Sequence, residues 1–380
     1  MAGAHLRGGR SRPRSLFLVV FGALLAGLLL GAGVTLALDD GDDDDAAIDT
    51  TDAADRGGEG IAVANPVEAS VERRPITIAF AGDIYVERSL ATRLEEDPNG
   101  FVGPFAALLG DADLAIGNLE AALVEDGTPL AKEFTFAAPP AVLDALRQGG
   151  FDVLSVANNH GMDYGADGLE QTLAIKRSQQ DGIVIGVGGD EDEAFAPYVA
   201  EVEGQTVAVI AATQVIDADL ISSWTATEDQ GGIASAKRVD RLVEEVESVR
   251  ATADTVIVYL HWGIETDTCP SDSQQELAQT LADAGADLVV GGHAHRVQGG
   301  GRLGTTFVGY GLGNFLFGAV SDESAKSGVL LVEVDGRDVL NYEWTPGRIS
   351  DRVPIPLQGD EKDAAVDEWN ELRDCTNLTE

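Results

Sequence analysis

The sequence predicts an α/β fold with much parallel sheet and a mixed, partly antiparallel end. Three observations lead there. From about Ile76 onward, short β-branched apolar runs alternate with stretches in which apolar residues return every three or four positions. Gly, Asn, Asp or His stands just past several of those runs, as reactive groups do at the carboxyl ends of strands in α/β folds. Near the end of the chain, β-rich segments follow one another with no helical pattern between them, which predicts antiparallel neighbours.

In order, residues 76–81, 113–116, 151–156, 183–187, 206–211, 255–260, 286–290 and 305–308 have strand length and β-branched content. Helical spacing marks 140–147, 165–177, 236–253 and 271–284; in the third, Val239, Leu242, Val243, Val246 and Val249 share one face. Segments 305–317, 328–334 and 339–344 are the consecutive strands. The polar tail after Pro354 has one amphipathic stretch, 364–372, expected to pack on the outside.

The N-terminus has a different character. Residues 1–15 carry Arg7, Arg10, Arg12 and Arg14 and no acid, and residues 16–38 then run without a charge. At about 1.5 Å per residue this run can cross a hydrocarbon layer of roughly 30 Å. Arginines before it and Asp39, Asp40 and Asp42 to Asp45 after it leave the N-terminus in the cytoplasm. The reading is therefore a basic tail (1–15), a single-pass signal anchor (16–38), an acidic disordered stalk (39–72), a catalytic-type domain outside the cell membrane (73–350) and a C-terminal extension (351–380). A formal net charge of -40, from 65 acids against 25 bases, excludes nucleic acid as a partner. A polyanionic substrate would need local cations or a bound metal to approach. Cys269 and Cys375 are the only cysteines. A disulfide between the C-terminal tail and the loop after His261, and two free thiols, are both open.

Four of the five histidines lie in three short motifs: Asn158-Asn159-His160, His261-Trp262-Gly263 and Gly291-Gly292-His293-Ala294-His295. Imidazoles gathered with Asp and Asn at strand ends indicate a metal site of nitrogen and oxygen ligands. Gly82-Asp83 ends the first strand, and Gly117-Asn118-Leu119-Glu120 places an acid where it could bridge two cations. The amide of Asn159 suits ligation, while His160, with Asp163 three residues on, suits proton transfer in an oriented carboxylate–imidazole pair. His293 and His295 are placed on the same side of an extended turn. Trp262 is read as a wall of the cleft, and Lys132, in the loop 129–140 with Phe134 and Phe136, as a residue of the substrate entrance; a purely structural loop is also open. No Gly-x-Ser-x-Gly elbow is present, and neither cysteine has a placed catalytic partner.

Taken together, Gly82-Asp83, Gly117-Asn-Leu-Glu120, Phe134-Thr-Phe-Ala-Ala-Pro-Pro140, Ala157-Asn-Asn-His160-Gly-Met-Asp-Tyr-Gly165, His261-Trp-Gly-Ile-Glu265, Gly291-Gly-His293-Ala-His295-Arg-Val-Gln298 and Tyr310-Gly-Leu-Gly-Asn-Phe-Leu-Phe317 resemble the CapA family of capsule and poly-gamma-glutamate biosynthesis. That family is similar in fold to calcineurin-like metallophosphoesterases. The resemblance implies a four-layer αββα sandwich with two mixed sheets and one or two divalent ions (Mn, Fe or Zn). It implies Glu120 as the bridging carboxylate, Asn159, His261 and His293 as ligands of one ion, Asp83 and His295 as ligands of the other, and His160 as general acid. Asn314, in the last motif, is assigned with Lys132 and Trp262 to substrate binding. Phosphoesterases usually carry His two residues after the first Asp, where this chain has Tyr85. The implied function is hydrolysis at an anionic polymer or its attachment, beside membrane subunits of a synthesis complex. A general extracellular phosphoesterase and a scaffold without turnover are the alternatives.

Overall fold

Every residue of the strand Thr255–Trp262 is buried, so its period of two sends side chains into two different apolar layers. Ile257 and Tyr259 join Ile78 and Phe80 of the strand Ile76–Ile84 in one layer. Val256, Val258, Leu260 and Trp262 join Leu242, Val246 and Val249 of helix Val239–Arg250 and Leu277, Ala278 and Leu281 of helix Asp272–Ala284 in the other. The computed structural model describes residues 73–380. The segments expected as basic tail, membrane anchor and stalk lie outside the described residues, among which no helix is long and apolar enough to cross a membrane.

Most of the strands form two mixed sheets, with two short two-stranded pairs beside them. The first runs Val353–Pro356, Asp338–Ser350, Lys326–Asp335, Ile76–Ile84, Leu114–Leu119, Val153–Ser155, Val184–Ile185, with Asn314–Leu316 added beside the end of Ile76–Ile84. Its Ile76–Ile84 to Val184–Ile185 part is parallel and the rest of that path antiparallel. The second runs Gly300–Leu303, Thr306–Gly309, Leu288–His293, Thr255–Trp262, Gln205–Thr213, Tyr198–Val202, parallel inside and antiparallel at both edges. Helix Ala141–Gln148 buries Val142, Leu143, Ala145 and Leu146 in the same cluster as the first sheet. Helix Asp272–Ala284 starts where Ser271 and Gln274 cap each other and stops at Gly285, whose φ of 109° suits glycine.

Two expectations are corrected. Of the segments after residue 305, Lys326–Asp335 and Asp338–Ser350 are antiparallel neighbours as expected, but Thr306–Gly309 lies parallel to Leu288–His293 in the second sheet, and the chain then crosses to the first, where Asn314–Leu316 runs parallel to Ile76–Ile84. An apolar pattern specifies a strand but not which sheet receives it. The strand Tyr198–Val202 was not anticipated, because its outer residues are exposed and polar residues interrupt it; it turns into Gln205–Thr213 through Glu203 and Gly204, both at positive φ.

The tail is bound to the body at several points. Trp369 of helix Asp360–Glu371 stacks on Trp344 with ring centres 5.9 Å apart, and Cys375 is disulfide-bonded to Cys269, with Cα atoms 5.7 Å apart. The bridge closes a separation of 106 residues, for which chain entropy predicts a stabilisation of up to about 4.7 kcal/mol. Cys375→Ser should therefore lower the calorimetric melting temperature by several degrees. An unchanged value would show that Trp369 and its neighbours hold the tail without the bridge.

Candidate metal centre at the strand ends

The register of the first sheet sets Asp83 opposite Asn118 on one side and Asn314 on the other. Asp83 Oδ1 accepts from Asn118 Nδ2 at 2.9 Å and Oδ2 from the backbone N–H of His293 at 3.1 Å, which joins the ends of the two sheets. A Cβ on residue 292 would lie 2.4 Å from Asp83 Oδ1, so Gly292 is what admits this approach. His293 and His295 have φ of 93° and 51°. The expected extended turn is thus a left-handed one, a conformation that costs on the order of 1–3 kcal/mol per non-glycine residue and concentrates at functional sites.

Strand alternation turns His261 toward the first sheet and Trp262 away from it. His261 Nδ1 lies 3.2 Å from Asn118 Nδ2 and Nε2 lies 2.7 Å from Asn159 Oδ1. The Asn118 amide also donates to Asp83, and its oxygen accepts from Asn158 Nδ2 at 3.0 Å, so one amide ties Asp83, His261 and Asn158 together. Trp262 is wholly buried and donates its indole N–H to the Tyr310 carbonyl at 2.7 Å. It packs behind the site, a correction to its reading as a cleft wall that the period of two explains.

Glu120 is the centre of the arrangement. It is fully buried, and neither carboxylate oxygen has a hydrogen-bond partner; His293 Nδ1 is likewise buried and unpartnered. Glu120 Oε1 lies 3.7 Å from His261 Nε2 and 3.9 Å from both His160 Nε2 and His295 Nε2. Two groups can each offer three ligand atoms within 4.8 Å of one another, Glu120/His261/His293 and Asp83/Glu120/His295, and Glu120 belongs to both. Buried acceptors without donors are costly, and a cation satisfies them. A set of imidazole nitrogens and carboxylate oxygens suits a divalent transition metal.

The electrostatics agree with that fit. Burial pushes the Glu120 carboxyl well above the ordinary range, His295 opposing and Asp83 reinforcing the shift. Burial and the neighbouring His295 lower His293 to about 4, against the pull of Asp83. Burial also works against a charged His295, but Glu120 and Asp83 outweigh it and raise the imidazole to about 10. Glu120 and His295 are thus both shifted toward holding a proton, which a bound cation would displace.

His160 faces Glu120 from another side. Its Nδ1 donates to Asp163 Oδ2 at 2.6 Å, and its ring stacks on Phe136 at 3.8 Å, which stacks in turn on Tyr85 at 3.8 Å. Tyr85, at the place where a further ligand is usual, is thus a ring support. Burial lowers the pKa of His160, against the bond to Asp163. The ammonium of Lys132 points inward to Asp163 Oδ1 at 2.7 Å and the Asn159 carbonyl at 2.6 Å. That corrects its assignment to the substrate entrance: its donors are taken by the protein. Phe134 meets solvent, as do Pro129, Ala131, Glu133 and Pro139 of the same loop. Asn314 is buried with Oδ1 2.8 Å from His295 Nδ1, so it orients that ring rather than lining an opening. Sequence reasoning passed over Asn118 and Asn158, whose amides tie Asp83, His261 and the backbone N–H of His160 together. Their signal was an amide at a strand end directly beside an expected ligand.

Residues 77–319 match the family described as bacterial capsule synthesis protein PGA_cap. The chain belongs to this family. The resemblance to CapA carried by the motifs from Asp83 to Phe317 is thereby borne out. Among relatives of this PGA_cap member, the PGA biosynthesis protein CapA of Bacillus subtilis (strain 168) is 28% identical over 292 residues, covering 75% of this chain and 74% of the relative. The capsule biosynthesis protein CapA of Bacillus anthracis is 29% identical over 296 residues, covering 75% and 70%. A solved phosphatase from Mycoplasma pneumoniae aligns with 77% of this chain and 97% of its own at a TM-score of 0.46 and 13% identity.

Proposed function

We propose that this PGA_cap protein is a membrane-anchored, outward-facing component of capsule or poly-gamma-glutamate assembly, with a metal-dependent hydrolase site that acts on the anionic polymer or its attachment. The observation that carries the reading is Glu120, a buried carboxylate with no hydrogen-bond donor, shared by two ligand groups and faced by an oriented imidazole. The order of apolar layers supports the four-layer phosphoesterase-like sandwich that the motifs imply. The arginines before residues 16–38 and the acids after them support the anchor and its orientation, which would set the domain beside membrane subunits of the assembly machinery.

Glu120 with Asn159, His261 and His293 would hold one Mn, Fe or Zn ion, and Glu120 with Asp83 and His295 a second. A divalent cation there supplies Lewis-acid polarisation of the bond under attack and a lowered pKa of water. The residues of the chain do the rest. Asp163 keeps a proton on His160 Nδ1, so Nε2 is the atom that exchanges protons: it first takes one up, giving an imidazolium that burial makes acidic, and then passes it to the leaving group. Phe136 and Tyr85 hold the ring plane and exclude water from one side. Asn118 and Asn314 fix the rings of His261 and His295.

Calorimetric titration of the metal-stripped full-length protein with Mn²⁺ at pH 7, in buffers of different ionisation enthalpy, tests the site. One or two equivalents should bind, with a net release of protons. The loaded protein should then shorten poly-gamma-glutamate chains. Absence of stoichiometric Mn²⁺, Fe²⁺ and Zn²⁺ binding would overturn the reading. Tyr85 favours a second reading, a scaffold that binds the polymer without turnover; metal binding with no hydrolysis, and undiminished polymer production by an Asn159→Ala, His160→Ala double variant, would select it.

A further inference from the structure

We propose that Lys132 is a positioning residue: its single ammonium fixes both the Asp163–His160 pair and the Asn159 backbone, and so seats the proton-handling imidazole against the ligand side of the site. The inference rests on the hydrolase reading above for its consequence, and on geometry for its content.

The Lys132 side chain is only 11% exposed. Taking an ammonium out of water costs several kcal/mol unless charge and hydrogen bonds compensate. Here Asp163 Oδ1 at 2.7 Å, the Asn159 carbonyl at 2.6 Å, Asp217 Oδ2 at 3.4 Å and the face of Trp224 at 4.6 Å surround it. Two of these contacts have a purpose beyond the lysine. Asp163 is wholly buried and divides its two oxygens, Oδ1 for Lys132, Oδ2 for the backbone N–H of Phe136 and for His160 Nδ1. With Oδ1 held, the carboxylate cannot rotate, so Oδ2 stays in line with the imidazole. The Asn159 carbonyl belongs to the peptide that joins the expected ligand Asn159 to His160, so the same ammonium sets where both side chains depart from the backbone. The loop is locked by the same partner, since the Leu130 N–H donates to the Asp163 carbonyl at 2.8 Å. A substrate-binding lysine would keep a donor free toward the opening. This one spends its two short hydrogen bonds on the groups that place His160 and its third contact on Asp217.

The test uses the full-length protein and the Lys132→Met variant. A short Nδ1–H to carboxylate bond protects its proton and shifts it far downfield, so the metal-free protein should show such a proton by NMR, assigned by its loss in His160→Ala. In Lys132→Met that signal should vanish while the melting temperature falls by no more than a few degrees. With Mn²⁺ and bis-p-nitrophenyl phosphate, kcat should fall by about 30-fold or more and KM should change less than about threefold, the mark of a misplaced group rather than a lost binding contact. A retained downfield proton with unchanged kcat would overturn the inference, as would a raised KM at unchanged kcat. If Lys132→Met does not fold, Lys132→Gln should show the same loss of the downfield proton and the same fall in kcat, and retention of both would overturn the inference equally. If the parent protein shows no hydrolysis, the function proposed above fails, and the NMR signal still decides whether Lys132 positions His160.

Discussion

Glu120→Gln should remove both metal positions at once, weakening Mn²⁺ binding by at least about 100-fold and lowering hydrolysis by about three orders of magnitude. The reason is geometric: Glu120 is the one carboxylate common to both ligand groups, and a neutral amide offers a weaker oxygen to each. The same substitution should act in the opposite direction on the metal-free fold. Burial raises the Glu120 carboxyl well above its ordinary value, and His295 is also raised, to about 10. Between the unfolded and folded values of such groups the native state binds more protons than the unfolded state, so stability falls as pH rises. The window opens near the ordinary carboxyl value of about 4.5 for Glu120 and near about 6.5 for His295, and for the imidazole it extends to about 10. Metal-free Glu120→Gln should therefore lose less stability between pH 5 and pH 8 than the parent protein, as read by urea unfolding at each pH. A variant that binds Mn²⁺ as tightly as the parent would remove Glu120 from the centre of the site. A variant with the parent's pH slope would show that the buried carboxylate is not what makes the empty cage unstable.

His160→Ala should leave metal content intact and lower kcat by about 10²- to 10³-fold, the range expected for a lost general acid. Neither ligand group includes His160, and its Nε2 stands 3.9 Å from Glu120 Oε1. Asp163→Asn should fall between the parent and His160→Ala, because an amide can still accept from Nδ1 but no longer favours a charged ring. Elemental analysis and steady-state kinetics on the same samples check the pattern. Loss of metal in His160→Ala would make that ring a ligand instead, and unchanged kcat with full metal would leave the leaving group to protonate itself.

The expected strands overlap real ones because alternation and β-branching are local properties. The run 183–187 shows the limit: Gly186, at a φ of 88°, breaks it into Val184–Ile185, paired with Val153–Ser155, and Val187–Gly188, paired with Gly232–Ile233. The helix 271–284 was legible almost to its ends, since Ser271, Gln274 and Gly285 are side-chain and backbone signals that act within one turn. Trp262 was readable in principle, as the neighbour of an inward histidine in a strand must face outward. Lys132 was not readable. Its partners lie 27 and 31 residues away, and nothing local distinguishes a lysine that meets solvent from one that meets a buried aspartate.

By itself, the sequence determined the kind of chemistry and the address: imidazoles, carboxylates and amides in motifs that follow strands, in an order that belongs to the PGA_cap family. Tertiary structure alone decided the pairing. Sheet register set Asp83 between Asn118 and Asn314, the crossing from Thr306–Gly309 to Asn314–Leu316 brought Asn314 to His295, and the meeting of two sheet ends placed Glu120 among three imidazoles without a donor of its own. The physical reason is range. Propensity, alternation and capping act over a few residues, whereas the partner of a buried charge is chosen by which strands lie side by side.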